Sequence, residues 1–348
     1  MIKRTLYFGN PAYLSMRNAQ LVIHLPEVVK NNDLPESFKK EAQATIAIED
    51  IGVVLLDHKQ ITITHGLLEA LLANNVAVIT CDSSRMPVGL LLPLSGNTVQ
   101  SERFQAQIDA TVPLRKQLWQ QTVQAKISNQ AYVLHNCRGA VVKNMRVWVN
   151  DVKSGDSDNL EARAAAYYWK NAFPMIPDFK RGREGVPPNN LLNYGYAILR
   201  AVVARSLVGS GLLPTLGIHH HNRYNAYCLA DDIMEPYRPF VDKMVIEIVD
   251  DIIKQNPNAL EEINSQQIDY NIPAAPEING YEELTQSKIS AFDLTKELKA
   301  KLLNIPVLDV MINNQRSPLM VAVSQTTASL AKCYMGETRK VAYPEFWA

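Results

Sequence analysis

Long hydrophobic runs, paired cysteines and a net charge are all missing from this 348-residue chain. No run approaches the roughly 20 consecutive apolar residues that a membrane-spanning helix needs, and the first residues contain no apolar signal-peptide region. We therefore expect a cytoplasmic protein without a membrane segment. The four cysteines lie far apart without CxxC spacing, which argues against a zinc knuckle and against a disulfide framework. They are Cys81, Cys137, Cys228 and Cys333.

The charges of the chain cancel, because 35 Lys and Arg residues balance 35 Asp and Glu residues. Nucleic-acid-binding domains are usually basic, so this balance alone argues against one. The distribution is uneven, however: the charged residues are mainly basic in the segment 101–150 and mainly acidic in the segment 251–300. Such a separation allows one face to hold phosphate and another to meet a partner, although ordinary solvated helix faces would give the same counts.

The hydrophobic pattern changes once along the chain. Short β-branched runs separated by Asn, Gly, Pro and Asp fill the first 80 residues and are typical of strands. One leucine-rich segment among them predicts a helix at about residues 66–74. Farther on, apolar residues recur at helical spacing. We therefore predict an α+β chain with a small N-terminal β-sheet domain over residues 1–97 and a larger all-α domain over residues 98–348.

The segment from Gly217 to Pro239 contains three histidines, two aspartates and a glutamate. On a helix, Asp232 and Glu235 would share one face. Clustered carboxylates repel one another unless a cation lies among them or one of them is protonated. Imidazole and carboxylate together suit manganese or zinc, whereas carboxylate and water suit magnesium. The segment therefore indicates half of a metal-dependent active site, although a helix cap with an ion-pair network would use the same acids.

Pro236 predicts that the helix kinks or restarts directly after Glu235, which would leave backbone carbonyl groups unpaired near the carboxylates. We expect Asp231 to form a structural ion pair and Arg238 to form either an ion pair or a phosphate contact. Three consecutive histidines favour one ligand among them without identifying it. A zinc hydrolase is disfavoured because the chain lacks the HExxH spacing.

Four ordered segments resemble the first family of CRISPR-associated (Cas) proteins, the integrase of spacer acquisition. They are IAIEDIGVVLLDHKQITITHGLLEALLANNVAVITCD, NNLLNYGYAILRAVVARSLVGSGLLPTLGIHH, LADDIMEPYRPFVD and RSPLMVAVSQTTASL. The resemblance extends over nearly the whole chain, and the form LADDIMEPYRP is most similar to the branch found in type II systems. It implies a homodimer formed through the β domains.

The resemblance also implies a set of metal ligands. One divalent cation, Mg²⁺ or Mn²⁺, would be held by Glu161, His220 and Glu235. Asp232 would act as an accessory acid that orders a metal-bound water or a second metal. These four residues are the predicted catalytic residues.

Two parts of this assignment have alternatives. His219 and His221 compete with His220 for the role of imidazole ligand. Asp158 and Glu161 have the spacing of a capping box, so Glu161 also has a structural interpretation. Both roles are compatible only if the Glu161 carboxylate faces inward.

The chemistry that the resemblance implies is phosphodiester transesterification, in which a 3′-hydroxyl of spacer DNA attacks the CRISPR repeat. With water as the nucleophile, the same site is a DNA endonuclease. DNA contacts would go mainly to the backbone, because spacer sequences vary without limit. The predicted DNA-contacting residues are Arg103, Arg115, Lys126, Arg138, Lys143, Lys180, Arg181, Arg183 and Arg238.

The implied partners are double-stranded DNA, as spacer precursor and as repeat, and the second CRISPR adaptation protein in the form of a small dimer. An RNA-guided effector nuclease is a further candidate partner. Two other functions stay open at this point. One is a structure-specific, metal-dependent DNA nuclease without an integration role, and the other is a non-catalytic DNA-binding scaffold.

Overall fold

The computed structural model describes residues 3–26, 44–182, 185–261 and 290–347. Its N-terminal part contains two four-stranded sheets, with the strand orders β1-β5-β7-β8 and β4-β3-β2-β6. The strands are β1 (Arg4–Phe8), β2 (Ala12–Arg17), β3 (Gln20–His24), β4 (Ala44–Ala47), β5 (Ile51–Leu56), β6 (Ile61–Ile63), β7 (Ala77–Cys81) and β8 (Pro87–Leu91).

The two sheets and helix α1 (His65–Ala73) pack around a common apolar core. The helix predicted at about residues 66–74 is therefore confirmed. In the first sheet, β1, β5 and β7 are parallel, and β8 pairs with β7 in the antiparallel sense.

Strand β5 belongs to two cores at once. Val54 packs in the N-terminal core, whereas Val53 and Leu55 pack in the core of the helical part. Successive side chains of a strand point to opposite faces, so a strand that is apolar at every position is buried on both sides. The boundary at residue 97 stays a prediction. The last strand of the first sheet ends at Leu91, and the next helix begins at Gln100.

The helical part is built around two long helices, α3 and α6, whose buried residues form much of its core. None of the helices in the described ranges is long and apolar enough to cross a membrane. The helices are α2 (Gln100–Ile108), α3 (Val112–Arg138), α4 (Lys143–Asp151), α5 (Leu160–Ala172), α6 (Asn189–Gly209), α7 (Cys228–Met234), α8 (Arg238–Gln255), α9 (Lys296–Leu302) and α10 (Leu319–Tyr334).

Helix α3 has clear start and stop signals. The Thr111 side chain accepts a hydrogen bond from the Leu114 backbone N–H, Pro113 lies in the first turn, and Gly139 ends the helix in the left-handed conformation with φ 60°. Pro113 therefore starts a helix.

The α+β fold is confirmed, with one correction to the all-α description of the second part. Strands β9 (Asp309–Ile312) and β10 (Gln315–Pro318) form an antiparallel hairpin there. Glu345 near the C-terminus bridges to Met311 of this hairpin through two backbone hydrogen bonds.

Candidate metal centre

Two of the predicted ligands meet at a single buried cation. Lys126 of α3 has 9% of its side chain exposed and forms ion pairs with Glu161 of α5 and with Glu235. Its Nζ lies 2.6 Å from Glu235 Oε2 and donates a hydrogen bond to Glu161 Oε1. Burial disfavours the charged ammonium, but the two carboxylates outweigh burial and raise the pKa of Lys126. The two carboxylates, which come from separate helices, thus share one positive charge.

Glu161 faces inward because another residue caps its helix. The Asp156 carboxylate accepts hydrogen bonds from the backbone N–H groups of Leu160 and Glu161, both at 2.9 Å. Asp158 instead forms an ion pair with Lys153 at 2.7 Å. The predicted capping box of Asp158 and Glu161 is therefore wrong, and the Glu161 side chain is free to reach Lys126.

Glu235 lies at a break between two helices, as Pro236 predicted. Helix α7 ends at Met234, residues Glu235–Tyr237 form a 3₁₀ turn, and α8 begins at Arg238. The Asp232 carbonyl, for which Pro236 has no N–H, accepts a hydrogen bond from the Glu235 backbone N–H. The Asn129 side-chain amide donates to the Pro236 carbonyl at 2.8 Å, so the expectation of unpaired carbonyl groups fails at both positions.

The buried Glu235 carboxylate is held in its ionised form. Burial opposes ionisation, but the charges of Arg238 and Lys126 outweigh it and lower the pKa of Glu235 to about 2. Arg238 Nη2 lies 3.1 Å from Glu235 Oε1, which confirms an ion pair for Arg238. Glu235 Oε2 is buried and lies 2.6 Å from Lys126 Nζ, its ion-pair partner.

His220 is oriented by Asp232. The two are linked by a 2.5 Å contact between His220 Nδ1 and Asp232 Oδ1, and this hydrogen bond raises the pKa of His220. A histidine that binds a metal usually has its other ring nitrogen on a carboxylate in this way. Nε2 is thus the nitrogen left for a ligand.

Asp232 is fully buried and binds the loop that carries the histidines. Its Oδ2 accepts hydrogen bonds from the backbone N–H groups of Ile218 at 2.6 Å and His219 at 2.9 Å. These contacts favour a positioning role for Asp232 over the predicted role of ordering a metal-bound water. Asp231 forms the expected ion pair, with Arg200 at 2.7 Å.

Gly217 is required by the close approach of this loop to Asp232. A Cβ atom at this position would lie 2.2 Å from the His220 carbonyl oxygen and 3.0 Å from Asp232 Oδ2. No side chain fits without displacing the backbone of His220. The sequence marked Gly217 only as the start of the motif.

The other two histidines have different surroundings. The His219 ring stacks on Trp119, with centroids 4.2 Å apart and planes 4° apart, and burial lowers its pKa. His221 is exposed. Trp119 is a site residue that sequence reasoning missed, because its spacing on α3 indicates only a buried face.

The donor set fits a divalent cation, although it is not arranged as a finished coordination sphere. Within the described ranges, no three His, Cys, Asp or Glu side chains are placed to hold a metal ion. Lys126 lies between Glu161 and Glu235 as a stand-in cation, with its Nζ 2.6 Å from the buried Glu235 Oε2. His220 is close enough to Glu235 for the two to interact electrostatically. Two carboxylates and one imidazole nitrogen suit Mn²⁺, and the two carboxylates with water suit Mg²⁺.

A C-terminal segment braces the turn that carries Glu235. Asn129, which binds the Pro236 carbonyl, also donates to the Pro344 carbonyl at 3.0 Å. The Phe346 ring stacks on Phe240 of α8, with centroids 3.9 Å apart. This segment, residues 339–347, is called the tail below. Its contacts fix the turn from the side of α3 and α8.

Several predicted DNA-contacting residues are engaged inside the protein. The prediction is wrong for Lys126, which is buried between two carboxylates. It is also wrong for Arg138, whose guanidinium forms two hydrogen bonds to Asp250 and one to the Ala172 carbonyl. Arg103 donates to the Ser210 carbonyl at 2.8 Å. Arg181 donates to the side chains of Asn189 and Asn193, so it does not extend as a free loop contact.

Of the remaining candidates that the structure describes, two are exposed, Arg238 is paired with Glu235, and Arg115 lies beside the site. Lys143 and Lys180 are exposed, and Arg183 lies outside the described residues. Arg115 lines two adjacent clefts of about 520 and 350 Å³. The larger cleft also contains His220, His221 and Arg223, and the smaller one His219 and Trp119. The histidine loop therefore opens onto a positively charged cleft suited to a phosphate backbone.

Another buried carboxylate, that of Asp242, lies one turn beyond Arg238. Asp242 accepts hydrogen bonds from the hydroxyl groups of Tyr168 and Tyr196. Burial raises the pKa of Asp242 to about 6, although these bonds and the charges of Arg181 and Arg238 oppose the increase. Both arginines lie over the Tyr196 ring, at 5.0 and 4.9 Å from its centroid.

Asp242 makes a pH-dependent contribution to stability. Its pKa rises from 3.8 in the unfolded chain to about 6 in the folded protein, so the folded state binds more protons between these values. The contribution of Asp242 to the free energy of unfolding must therefore decrease as the pH rises from 4 to 6. We expect the melting temperature (Tm) of Asp242→Asn, minus that of the wild type, to increase over this range. A difference that stays constant with pH would contradict the assignment.

This chain is similar in sequence to known proteins of one family. The chain is 36% identical over 249 residues to the CRISPR-associated endonuclease Cas1 of Neisseria meningitidis serogroup C, which covers 71% of this chain and 76% of the relative. Residues 8–258 match the family described as CRISPR associated protein Cas1. The chain belongs to the Cas1 family, and the resemblance found in the sequence is confirmed.

Solved structures agree on the fold. A casposase bound to its integration product has a TM-score of 0.67 at 19% identity, covering 98% of this chain and 92% of the casposase. A Cas6-RT-Cas1–Cas2 complex contains a chain with a TM-score of 0.63 at 20% identity, covering 97% of this chain and 35% of that one. At these identities the likeness establishes the fold alone.

Proposed function

We propose that this Cas1 protein joins the 3′-hydroxyl ends of spacer DNA to the CRISPR repeat by metal-dependent phosphodiester transesterification. With water in place of the hydroxyl, the same site cleaves DNA. The observation that carries the proposal is the sharing of one buried positive charge by Glu161 and Glu235, beside a histidine that Asp232 orients. The endonuclease name of the Neisseria relative and the integration product held by the similar casposase support it.

Glu161, Glu235 and Nε2 of His220 would hold the Mg²⁺ or Mn²⁺ ion. When bound, such a cation stabilises negative charge on the transferring phosphate and on the attacking and leaving oxygens. Arg238 keeps Glu235 ionised, and Asp232 keeps the His220 ring in place with Nδ1 engaged. Joining exchanges one phosphodiester for another, so the protein contributes chiefly alignment and charge neutralisation.

Arg115 and Arg223 would receive the DNA backbone in the cleft beside His220. The proposed partners are double-stranded DNA, a second copy of this chain and the small second adaptation protein. The Cas1–Cas2 assembly among the similar structures supports the last of these. The RNA-guided effector nuclease stays a prediction.

A joining assay tests the proposal directly. Labelled DNA with free 3′-hydroxyl ends is mixed with the protein, the second adaptation protein and a supercoiled plasmid that carries a repeat. We expect covalently joined product in Mg²⁺ or Mn²⁺, none in EDTA, and recovery when Mn²⁺ is restored. Cleavage without joining would favour the nuclease that lacks an integration role.

The ion pairs of Lys126 favour a second candidate, the DNA-binding scaffold, because they satisfy both carboxylates without a metal. Mn²⁺ titration separates the two candidates. The scaffold would bind DNA without binding Mn²⁺, and substitution of His220 would not change its DNA binding.

A further inference from the structure

Lys126 is a buried cation at the centre of the candidate site. It projects from the interior of the 27-residue helix α3, far from either helix end, and lies almost entirely out of solvent. Removing an ammonium group from water is costly unless carboxylates compensate for the lost hydration. Lys126 has two such partners, Glu161 and Glu235. Both are predicted metal ligands, so the ammonium competes directly with any cation at this site.

The charges of the site are already balanced without a metal ion. Glu161 and Glu235 carry two negative charges, and Lys126 and Arg238 carry two positive ones. Arg238 contacts Oε1 of Glu235, whereas Lys126 lies against Oε2 of Glu235 and Oε1 of Glu161. A divalent cation added beside Lys126 would meet carboxylates that are already neutralised and an ammonium that repels it.

We propose that Lys126 is a displaceable counter-cation, which holds Glu161 and Glu235 together in the metal-free protein and gives up its place when a divalent cation binds. This inference rests on the proposed metal-dependent function. It explains why the two acids can lie so close together before a metal arrives. It also makes the metal affinity a balance between two cations.

A second buried lysine provides a matched control. Lys299 of α9 is 1% exposed and its Nζ lies 2.6 Å from Asp57 Oδ2. Its other neighbours are the Arg85 carbonyl and the ring of Tyr194. Lys299 thus has the burial and the ion pair of Lys126, but it contacts only one carboxylate and no predicted metal ligand.

The test compares Lys126→Met with Lys299→Met in the full chain. The Kd for Mn²⁺ is measured by electron paramagnetic resonance of free Mn²⁺, and Tm is measured in EDTA and in saturating Mn²⁺. For Lys126→Met we expect Mn²⁺ binding to tighten by at least about tenfold, because the competing charge is gone. Its Tm should fall in EDTA, where the two acids repel each other, and return to the wild-type value in Mn²⁺.

Lys299→Met should lower Tm equally in both conditions and leave the Kd for Mn²⁺ unchanged. Lys126→Arg keeps the charge and adds a guanidinium that can bind a carboxylate through two hydrogen bonds. We expect this variant to bind Mn²⁺ several-fold more weakly than the wild type. It therefore keeps the inference testable if Lys126→Met does not fold.

The failures are distinguishable. If the wild type binds Mn²⁺ and Lys126→Met binds it no more tightly, Lys126 does not compete with the metal. That result would overturn the inference and leave the proposed function intact. A loss of Tm that persists in Mn²⁺ would have the same meaning, because Lys126 would then remain paired beside the metal. A wild type that binds no Mn²⁺ would overturn the inference together with the metal dependence of the proposed function.

Discussion

Replacing Glu161 with glutamine is expected to lower the rate of strand joining by about 10³-fold or more while leaving DNA affinity nearly unchanged. Glutamine has the shape of glutamate but no charge, so it holds a cation shared with Glu235 far more weakly. His220→Ala should have a similar effect, because it removes the nitrogen that Asp232 orients. DNA affinity should persist, since the proposed backbone contacts come from Arg115 and Arg223 in the adjacent cleft. Joining rates and equilibrium DNA binding are measured on the same preparations.

Asp158→Asn is the matched control for Glu161→Gln. Asp158 lies on the same segment, three residues earlier, but is exposed, and its partners are Lys153 and the Ser157 hydroxyl. Its loss should change neither joining nor stability appreciably, because exposed ion pairs contribute little. Strand transfer retained by purified Glu161→Gln or His220→Ala protein would exclude the corresponding residue as a ligand.

The substitution Gly217→Ala is expected to lower the rate constant for joining by about 10²-fold, because the added methyl group would move His220 relative to the two carboxylates. The added Cβ would lie within 2.2 Å of the His220 carbonyl oxygen, so the loop must shift. The rate constant for joining should fall and the Kd for Mn²⁺ should rise, whereas the affinity for DNA should change little.

Gly66→Ala controls for the general effect of replacing a glycine. Gly66 lies in helix α1, and a Cβ there meets no atom within 4 Å. Alanine is favoured over glycine within a helix, so this variant should be as stable as the wild type or more stable, and fully active. Full joining activity in Gly217→Ala would show that the close approach at Gly217 does not position His220.

Two local signals in the sequence predicted the structure correctly. Pro236 showed that the helix restarts after Glu235, and the leucine-rich run showed helix α1. The hairpin of β9 and β10 also had a local signal that was overlooked. Its turn is Asn313-Asn314, both with positive φ, and paired asparagines are well suited to such turns.

Lys126 and Asp156 could not be assigned from spacing. A lysine on an amphipathic helix is normally placed toward solvent, and the partners that draw Lys126 inward are 35 and 109 positions farther along the chain. Asp156 replaced Asp158 as the cap because Asp156 and Asn159 both adopt positive φ, which changes the path of the chain before α5. Such backbone conformations depend on tertiary contacts, so the residue pattern alone favoured the ordinary capping box.

The contact between Asn129 and the tail has a consequence for synthesis of the protein on the ribosome. Asn129 and Pro344 are 215 positions apart, and the same amide of Asn129 binds the carbonyl that follows Glu235. Chains emerge from the ribosome with the N-terminus first, and early parts fold before late ones are made. A nascent chain can thus complete its two N-terminal β-sheets long before the turn at Glu235 acquires its brace. The candidate metal centre therefore reaches its final form only after Pro344 has been synthesised.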